Sequence, residues 1–327
     1  MTTRRKILVA LGGVLAAPLA SFAQQKPKIW RIGFLSGATR PPDGLPPAAF
    51  RQGLAELGYV EGRNLMYEGR WAEAKFGRLP ELAAEPVQLR VDAILVVGFP
   101  ATQAVKRATS TIPIVTTSAG DAVGSGLVAN LSHPGANLTG MSDMAVELSA
   151  KRLELLKETF PKASRVAVLW NQNNLAMTQR YREIELAARA LAVTVQPLGV
   201  REPDDFDDAF SAMSRRRPDA LFLVTDALTT LNRKRVIEFA ATHRIPAMYE
   251  YSSLVQDGGL ISYGPNQDDN FRRAAYYVDR ILKGTKPGDL PMEQPTRYYL
   301  FINLKTAKAL GITIPPSVMV RADRVIE

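Results

Sequence analysis

The chain of 327 residues lacks cysteine altogether and contains only two histidines, His133 and His243. Without cysteine there are no disulfide bonds, thiolate metal sites, cysteine nucleophiles or lipid anchors on a cysteine. The two histidines stand far apart in the sequence, and neither belongs to a metal-ligand pattern. No serine nucleophile elbow and no Gly-Lys-Ser/Thr phosphate loop occurs. We therefore predict no metal, no cofactor and no catalytic residues.

After its first residues the chain also lacks any run of about 20 apolar residues, the length that spans a bilayer. The formal net charge is +9, but residues 1–23 hold three basic residues and no acid, which leaves 38 basic against 32 acidic residues. This mild excess is spread along the chain rather than gathered in a stripe. We expect a protein that neither binds nucleic acid nor is embedded in a membrane.

The first 23 residues have the pattern of a secretory signal. A basic start is followed by an apolar run at residues 7–17, a break at Pro18, and small residues at Ser21 and Ala23. The pattern predicts a signal peptide over residues 1–23, cleaved near Ala23, and a periplasmic mature protein. The pair Arg4-Arg5 favours the twin-arginine export route, and an ordinary secretory signal is the alternative.

The rest of the chain alternates strand and helix patterns, which is typical of parallel sheets covered on both faces. Two such sheets in tandem predict an α/β fold of two doubly wound, Rossmann-like lobes with a ligand cleft between them. Pro86 is expected to kink or shorten its helix. The predicted strands are 29–35, 65–71, 91–97, 112–116, 165–170, 194–198, 220–224, 245–249, 260–263 and 298–302, and the predicted helices are 48–57, 79–89, 100–108, 147–159, 175–191, 204–215, 233–242, 268–282 and 304–310.

Between the two halves, residues 118–142 contain five glycines and show neither helical nor strand periodicity. Long segments of this kind are uncommon in compact domains and tend to be functional. We predict that the segment begins with a cleft loop, in which Ser118 and Asp121 contact the ligand. We predict that it ends with a crossing between the lobes, where Gly140 and Met141 act as a hinge.

Several polar, glycine and aromatic residues follow directly on predicted strands, where open α/β sheets bind ligands. The helix that starts near Pro100 would offer free N–H groups to a carboxylate, although Thr102 is equally consistent with packing. Asp226 is interpreted as the partner of an ammonium group, with helix capping as the alternative. The aromatic residues are interpreted as stacking surfaces or as ordinary core. The predicted ligand-binding residues are Ser36, Gly37, Gly98, Phe99, Ala101, Thr102, Ser118, Asp121, Trp170, Asn171, Asp226, Tyr249 and Glu250.

From Ile32 to Glu327 the sequence resembles the ABC transporter substrate-binding proteins of the tryptophan/tyrosine type. The motifs that carry the resemblance are Phe-Arg-Gln-Gly-Leu at 50–54, Leu-Gly-Tyr-Val-Glu-Gly at 57–62, Arg-Trp-Ala-Glu at 70–73, Thr-Ile-Pro-Ile-Val at 111–115, Gly-Asp at 120–121 with Val-Gly-Ser-Gly-Leu-Val at 123–128, Lys-Arg-Leu-Glu-Leu-Leu-Lys at 151–157, Gly-Gly-Leu at 258–260 with Ser-Tyr-Gly-Pro at 262–265, Ile-Leu-Lys-Gly at 281–284, and Asn-Leu-Lys-Thr-Ala-Lys-Ala-Leu-Gly at 303–311.

The resemblance implies a type I periplasmic binding fold in which the chain crosses three times between the lobes. Further crossings are then expected at Gly264 and Pro265 and around Pro295. Lobe 1 would comprise residues 28–141 and about 265–294, and lobe 2 residues 142–264 and about 295–327. By the same resemblance, residues 98–102 would hold a carboxylate, and Asp121 and Asp226 would face an amine or polar groups.

The sequence departs from this family's pattern at Pro86 and at Phe99, which stands where a small or hydroxyl residue is usual. A phenylalanine at position 99 would fill part of the pocket and disfavour a bulky indole ligand. The resemblance implies a monomeric solute receptor that closes on a small, amino-acid-like or carboxylated ligand and docks on an ABC permease with its ATPase. The alternative is a sensory component that presents its ligand to a receptor kinase or chemoreceptor, since both functions use the same closure.

Overall fold

The computed structural model describes residues 28–142 and 145–327, and within these ranges the strands form one sheet of five strands and one of seven. The predicted signal peptide, residues 1–23, lies outside the described residues. Helices cover both sheets, and each sheet with its helices forms one lobe. The α/β fold with two lobes built on parallel sheets is therefore confirmed. No helix in the described part of the chain is long and apolar enough to cross a membrane.

The sheet of lobe 1 is entirely parallel, with strand order β2-β1-β3-β4-β5. One face packs on two helices, α1 and α10, through apolar side chains that include Phe34, Phe50, Leu95 and Val278. Helices α2 and α3 pack against each other beside the same sheet. The elements of this lobe are β1 (Trp30–Ser36), α1 (Ala48–Glu56), β2 (Leu65–Trp71), α2 (Leu79–Gln88), β3 (Ala93–Val97), α3 (Phe99–Ala108), β4 (Ile114–Thr116), β5 (Leu138–Gly140) and α10 (Gln267–Leu282).

The sheet of lobe 2 has strand order β12-β11-β10-β9-β8-β6-β7, and only the β10–β11 pair in this part of the described chain is antiparallel. Its central strands are fully buried apolar runs, as expected for a sheet covered on both faces. The elements are α4 (Ala145–Thr159), β6 (Arg165–Asn171), α5 (Leu175–Ala190), β7 (Thr194–Val200), α6 (Asp205–Arg215), β8 (Ala220–Leu223), α7 (Ala227–Leu231), α8 (Arg233–Thr242), β9 (Ala247–Tyr249), α9 (Ser252–Gln256), β10 (Ile261–Gly264), β11 (Tyr299–Asn303), α11 (Leu304–Leu310), α12 (Pro316–Met319) and β12 (Arg324–Ile326).

Two local expectations need correction or refinement. Residues 118–142 are not wholly irregular, because strand β5 lies within them and pairs with β4 in parallel. Helix α2 includes Pro86 and ends two residues later, so the proline occupies the last turn, where it removes little helical hydrogen bonding. The proline ring packs closely over β1, since a Cβ at Gly33 would lie 3.0 Å from Pro86 Cβ.

Within the described ranges the chain passes between the two sheets three times: after β5, between β10 and α10, and before β11. Two of these passages are hydrogen-bonded to each other. Met141 forms a parallel bridge with Glu293, and the Ser142 N–H donates to the Glu293 carbonyl at 2.8 Å. The Glu293 N–H in turn donates to the Gly140 carbonyl at 3.0 Å. The first and third passages therefore run side by side as one paired segment.

Glycine is required at the ends of both β5 and β10. A Cβ at Gly140, which has φ +125°, would lie 2.1 Å from the Thr116 carbonyl oxygen. A Cβ at Gly264 would lie 2.0 Å from the Glu250 carbonyl oxygen, and Pro265 follows directly. Close backbone contact alone thus explains these two glycines. The hinge role of Gly140, Met141, Gly264 and Pro265 stays a prediction.

Candidate ligand-binding site

A cavity of about 190 Å³ lies between the lobes at the carboxyl ends of the parallel strands. Open α/β sheets bind their ligands at this edge. Seven of the predicted residues line it, and five of these lie at the end of β1 or at the start of α3. The predicted residues in the cavity wall are Ser36, Gly37, Gly98, Phe99, Ala101, Ser118 and Asp226.

Lobe 1 contributes the start of α3. Gly98 is the N-cap residue with φ +87°, and among the described residues no side chain caps this helix. The Thr102 N–H is used within the helix, where it donates to the Gly98 carbonyl at 3.0 Å. Phe99 and Ala101 come before Thr102 in the first turn, where N–H groups have no acceptor within the helix. The helix dipole adds a partial positive charge at this end. This turn can accept an anionic group such as a carboxylate.

Lobe 2 contributes Asp226, whose carboxylate accepts several hydrogen bonds. The Asn171 Nδ2 donates to Oδ2 at 2.7 Å, the Asn174 Nδ2 donates to the same oxygen at 3.2 Å, and the Thr229 N–H donates to Oδ1 at 3.1 Å. Asp226 also caps α7 in a capping box, so capping and cavity lining coexist at this residue.

Burial raises the pKa of the Asp226 carboxyl, while the hydrogen bonds from Thr229, Asn174, Asn171 and Leu228 act in the opposite direction. The net direction shows that the donors do not fully replace the hydration that the carboxylate loses. A cationic group in the cavity would supply the missing stabilisation of the ionised form.

Arg180 also lines the cavity, from helix α5. Its Nη1 lies 2.9 Å from Glu250 Oε2, and Arg152 Nη1 lies 3.4 Å from Glu250 Oε1. All three side chains are at most 3% exposed. Arg152 also donates from Nε to the Tyr263 carbonyl at 2.5 Å, so the cluster connects the cavity to the end of β10.

Apolar side chains from both lobes complete the cavity wall. Phe76 and Phe99 come from lobe 1, and Met177 and Tyr251 come from lobe 2. Phe76 packs against the apolar cores of both lobes. Together with the polar groups, these side chains form a small chamber with one apolar region, one carboxylate and one anion-binding turn.

The lobes touch at two places beside this chamber. A Cβ at Gly37 of lobe 1 would lie 3.2 Å from the Cβ of Ala227, the first residue of α7. A Cβ at Gly120 would lie 3.3 Å from the Cβ of Ala176, in the first turn of α5. In both places a glycine of lobe 1 meets an alanine at the start of a lobe 2 helix, so small residues permit this close approach.

Six predicted site residues do not line the cavity in the described part of the chain. Asp121 is exposed, and its carboxylate accepts the Gly124 N–H at 2.8 Å within its own loop. Thr102 is buried behind α3, where its hydroxyl donates to the Gly98 carbonyl at 2.9 Å. Trp170 stacks on Tyr181, with 3.8 Å between ring centroids. The remaining three, Asn171, Tyr249 and Glu250, are buried.

Other cavity residues were not predicted from the sequence. Val97 and Thr225 lie at or just beyond strand ends, whereas those on helices or loops include Phe76, Asn174, Met177, Arg180, Thr230, Tyr251 and Gln267. Arg180 carried a detectable signal, because it occupies the buried face of α5 formed by Ala176, Met177, Ile184 and Ala188. A charged residue on an apolar helix face is unusual unless it is paired or functional.

No group of His, Asp or Glu side chains in the described ranges has the arrangement of a metal site. The chamber therefore offers hydrogen bonds, charge and apolar surface to an organic ligand. Two facing α/β lobes that close on a small chamber define a two-lobed ligand-binding protein.

Residues 47–326 match the family model for ABC transporter substrate binding proteins, and the chain belongs to this family. It is 28% identical over 264 residues to a tyrosine-binding protein of Clostridioides difficile (strain R20291), which covers 80% of this chain and 75% of that relative.

Two solved structures extend the comparison. The structure of an ABC domain in complex with L-Trp from Streptococcus pneumoniae superposes with a TM-score of 0.83 at 26% identity, over 91% of this chain and 100% of the other. The ligand-free, open structure of a substrate binding protein with adhesive properties from Clostridium difficile gives a TM-score of 0.63 at 25% identity, over 91% of this chain and 99% of the other. The type I periplasmic binding fold and the substrate-binding class are thus confirmed.

Proposed function

We propose that this protein is exported and delivers a small, amino-acid-like or carboxylated ligand to an ABC importer. The observation that carries the proposal is the charge arrangement of the chamber. The uncapped start of α3 in lobe 1 and the Asp226 carboxylate in lobe 2 line the same cavity. An α-amino acid carries the two complementary charges at a short separation, and it would bridge the lobes.

In the proposed complex, the ligand carboxylate accepts the N–H groups of Phe99 and Ala101, with Arg180 as an additional cation. The ligand ammonium group pairs with Asp226, a charge-assisted contact that is stronger than a neutral one. The remaining group of the ligand packs against the apolar part of the chamber. Contacts from both lobes favour the closed form, which is how a ligand shifts such a protein between its states.

The named relatives support an amino acid as ligand, since one binds tyrosine and another holds L-Trp. The same structures support a closed arrangement of the lobes in this protein. At nearly equal identity, the TM-score is 0.83 with the L-Trp complex and 0.63 with the ligand-free, open structure. A difference in lobe separation is the simplest source of that gap, because the sequences are equally distant.

We assign lobe 1 to residues 28–141 and about 265–294, and lobe 2 to 142–264 and about 295–327. The sheet order supports this division, because the strands of lobe 1 end at Gly140 and helix α10 returns to pack on them. We propose Gly140, Met141, Gly264 and Pro265 as hinge residues. The proposed location is the periplasm, and the proposed partners are a permease and its ATPase. The family match favours transport over a purely sensory role.

Calorimetric titration of ligand-stripped protein tests the function. The protein is unfolded, dialysed and refolded, then titrated with L-valine, L-leucine, L-phenylalanine, L-tyrosine, L-tryptophan and benzoate, with D-ribose as the control. We expect saturable binding of at least one acid and none of the sugar. Binding of D-ribose without binding of any acid at millimolar concentration would refute the ligand class.

A further inference from the structure

The chamber is small for a ligand site. Its volume is about 190 Å³, whereas sites for drug-sized ligands occupy roughly 300–1,000 Å³. An apolar protein cavity of about 150 Å³ holds benzene, which corresponds to roughly 25 Å³ for each non-hydrogen atom. On this scale a chamber of about 190 Å³ accommodates about eight non-hydrogen atoms.

This capacity separates the common amino acids by size. L-Valine has eight non-hydrogen atoms, and L-leucine and benzoate have nine each. L-Tryptophan has fifteen, and on the same scale it needs roughly 375 Å³, about twice the volume that the closed chamber provides. A ligand of valine or leucine size fits the chamber without rearrangement, and an indole amino acid does not.

The chamber cannot gain this volume by separating the lobes while the protein stays closed. The contacts of Gly37 with Ala227 and of Gly120 with Ala176 set the distance between the lobes. Across the lobes, backbone meets the first turn of a helix at these contacts, and the flexible side chain nearest to Gly37, that of Phe76, belongs to lobe 1. The volume is therefore set by the side chains of the wall.

Phe99 is one of the large side chains of the cavity wall. Its side chain is 5% exposed and packs into the apolar core beside the chamber. As the first residue of α3 it has a fixed backbone direction. It also neighbours the anion-binding turn, so its ring limits the space that remains once a carboxylate is bound there.

On the basis of the proposed function, we infer that Phe99 sets an upper size limit on the ligand. The protein selects a carboxylate of about eight or nine non-hydrogen atoms, an aliphatic amino acid or a single-ring acid, and excludes tryptophan. Phe99→Ala removes the six ring carbons, which adds roughly 150 Å³. The enlarged chamber of about 340 Å³ then matches L-phenylalanine and L-tyrosine, with twelve and thirteen non-hydrogen atoms.

The test is a calorimetric size series on the full mature protein and on two variants. Wild type, Phe99→Ala and Phe99→Leu are each titrated with L-valine, L-leucine, benzoate, L-phenylalanine, L-tyrosine and L-tryptophan. We expect wild type to bind L-valine, L-leucine or benzoate at least tenfold more tightly than L-tryptophan. Phe99→Ala should bind L-phenylalanine or L-tyrosine about tenfold more tightly than it binds L-valine, L-leucine or benzoate. Phe99→Leu, which removes three non-hydrogen atoms, shifts the optimum to an intermediate size.

The titrations of wild type test the size limit even when a variant does not fold. Tryptophan bound as tightly as L-leucine by wild type overturns the size limit and leaves the proposed function intact. Absence of binding to any acid in wild type refutes the proposed function instead. Variants that fold, as shown by circular dichroism, and keep the wild-type order of affinities overturn the role of Phe99.

Discussion

A larger side chain at Gly37 should hold the lobes apart and weaken ligand binding. The backbone of Gly37 does not have a positive φ, so its conformation is open to valine. In the closed protein its Cβ would lie 2.9 Å from Phe76 Cε1 and 3.2 Å from Ala227 Cβ. Both distances are shorter than the roughly 3.5–4.0 Å that carbon atoms prefer.

The size of the effect follows from this crowding. Overpacking of a close contact costs about 1–3 kcal/mol. The cost of the contact with Ala227 falls on the closed form alone, because Ala227 moves away from Gly37 when the lobes open. The contact with Phe76 lies within lobe 1 and is therefore common to both forms. Since each factor of ten in affinity corresponds to about 1.4 kcal/mol, Gly37→Val should raise the Kd about 5- to 150-fold.

The assay combines calorimetry with small-angle X-ray scattering. Gly37→Val, Gly37→Ala and wild type are titrated with the acid that wild type binds most tightly in the series above. Gly37→Val should show a larger radius of gyration than wild type at the same acid concentration. Any fall in the melting temperature without added acid should also appear in Gly37→Ala, because the contact of the new Cβ with Phe76 lies within lobe 1. The double variant Gly37→Ala, Ala227→Gly should recover part of the affinity lost in Gly37→Ala.

A Gly37→Val protein with wild-type affinity and wild-type radius of gyration would contradict the reasoning. The two lobes would then be further apart in the ligand-bound protein than the contact between Gly37 and Ala227 requires. The size limit imposed by Phe99 would lose its physical basis at the same time, since the chamber volume depends on that contact.

Three further outcomes are expected. Asp226→Asn should weaken amino-acid binding tenfold or more and lower the melting temperature of the unliganded protein, because an amide nitrogen cannot accept the bonds that a carboxylate oxygen receives from Asn171 and Asn174. Burial raises the pKa of this carboxyl, so wild-type stability falls as pH rises from the unfolded value near 3.8 to the higher folded value. Gly140→Ala should lower the free energy of unfolding in urea by about 1–3 kcal/mol, because its Cβ would collide with the Thr116 carbonyl at 2.1 Å. Glu250→Gln should lower the free energy of unfolding in urea by about 3 kcal/mol, because Arg152 and Arg180 are buried and each loses a charged partner. The control Glu154→Gln breaks an exposed ion pair and should lower the same free energy by about 0.5 kcal/mol or less.

Long apolar runs and long amphipathic helices could be predicted from the sequence, and short elements could not. Strand β3 is a continuous buried run, Ala93–Val97, between two helix patterns. Strand β5 has three residues, Leu138–Gly140, and three residues cannot show a period. The short helices α7, α9 and α12 were missed for the same reason. Their boundaries depend on capping and on contacts with the rest of lobe 2.

The position of the cleft followed from strand ends, but the direction of each side chain did not. Successive side chains of a strand point to opposite faces, and both faces of these sheets are apolar. The sequence therefore could not show that Trp170 and Tyr249 face the core while Asp226 reaches the cavity. Arg180 lies two turns into a helix, outside any rule about strand ends. Its place in the wall depends on how α5 packs in the folded protein.

The hydrogen bonds that tie Met141 and Ser142 to Glu293 limit how the protein can move. Two passages that are bonded to each other resist twisting or sliding independently, so we expect the proposed opening to be a rotation about a single axis. A motion with one degree of freedom has one closed end point. Any ligand that completes the closure therefore presents the same outer surface to a docking partner, whatever its own shape.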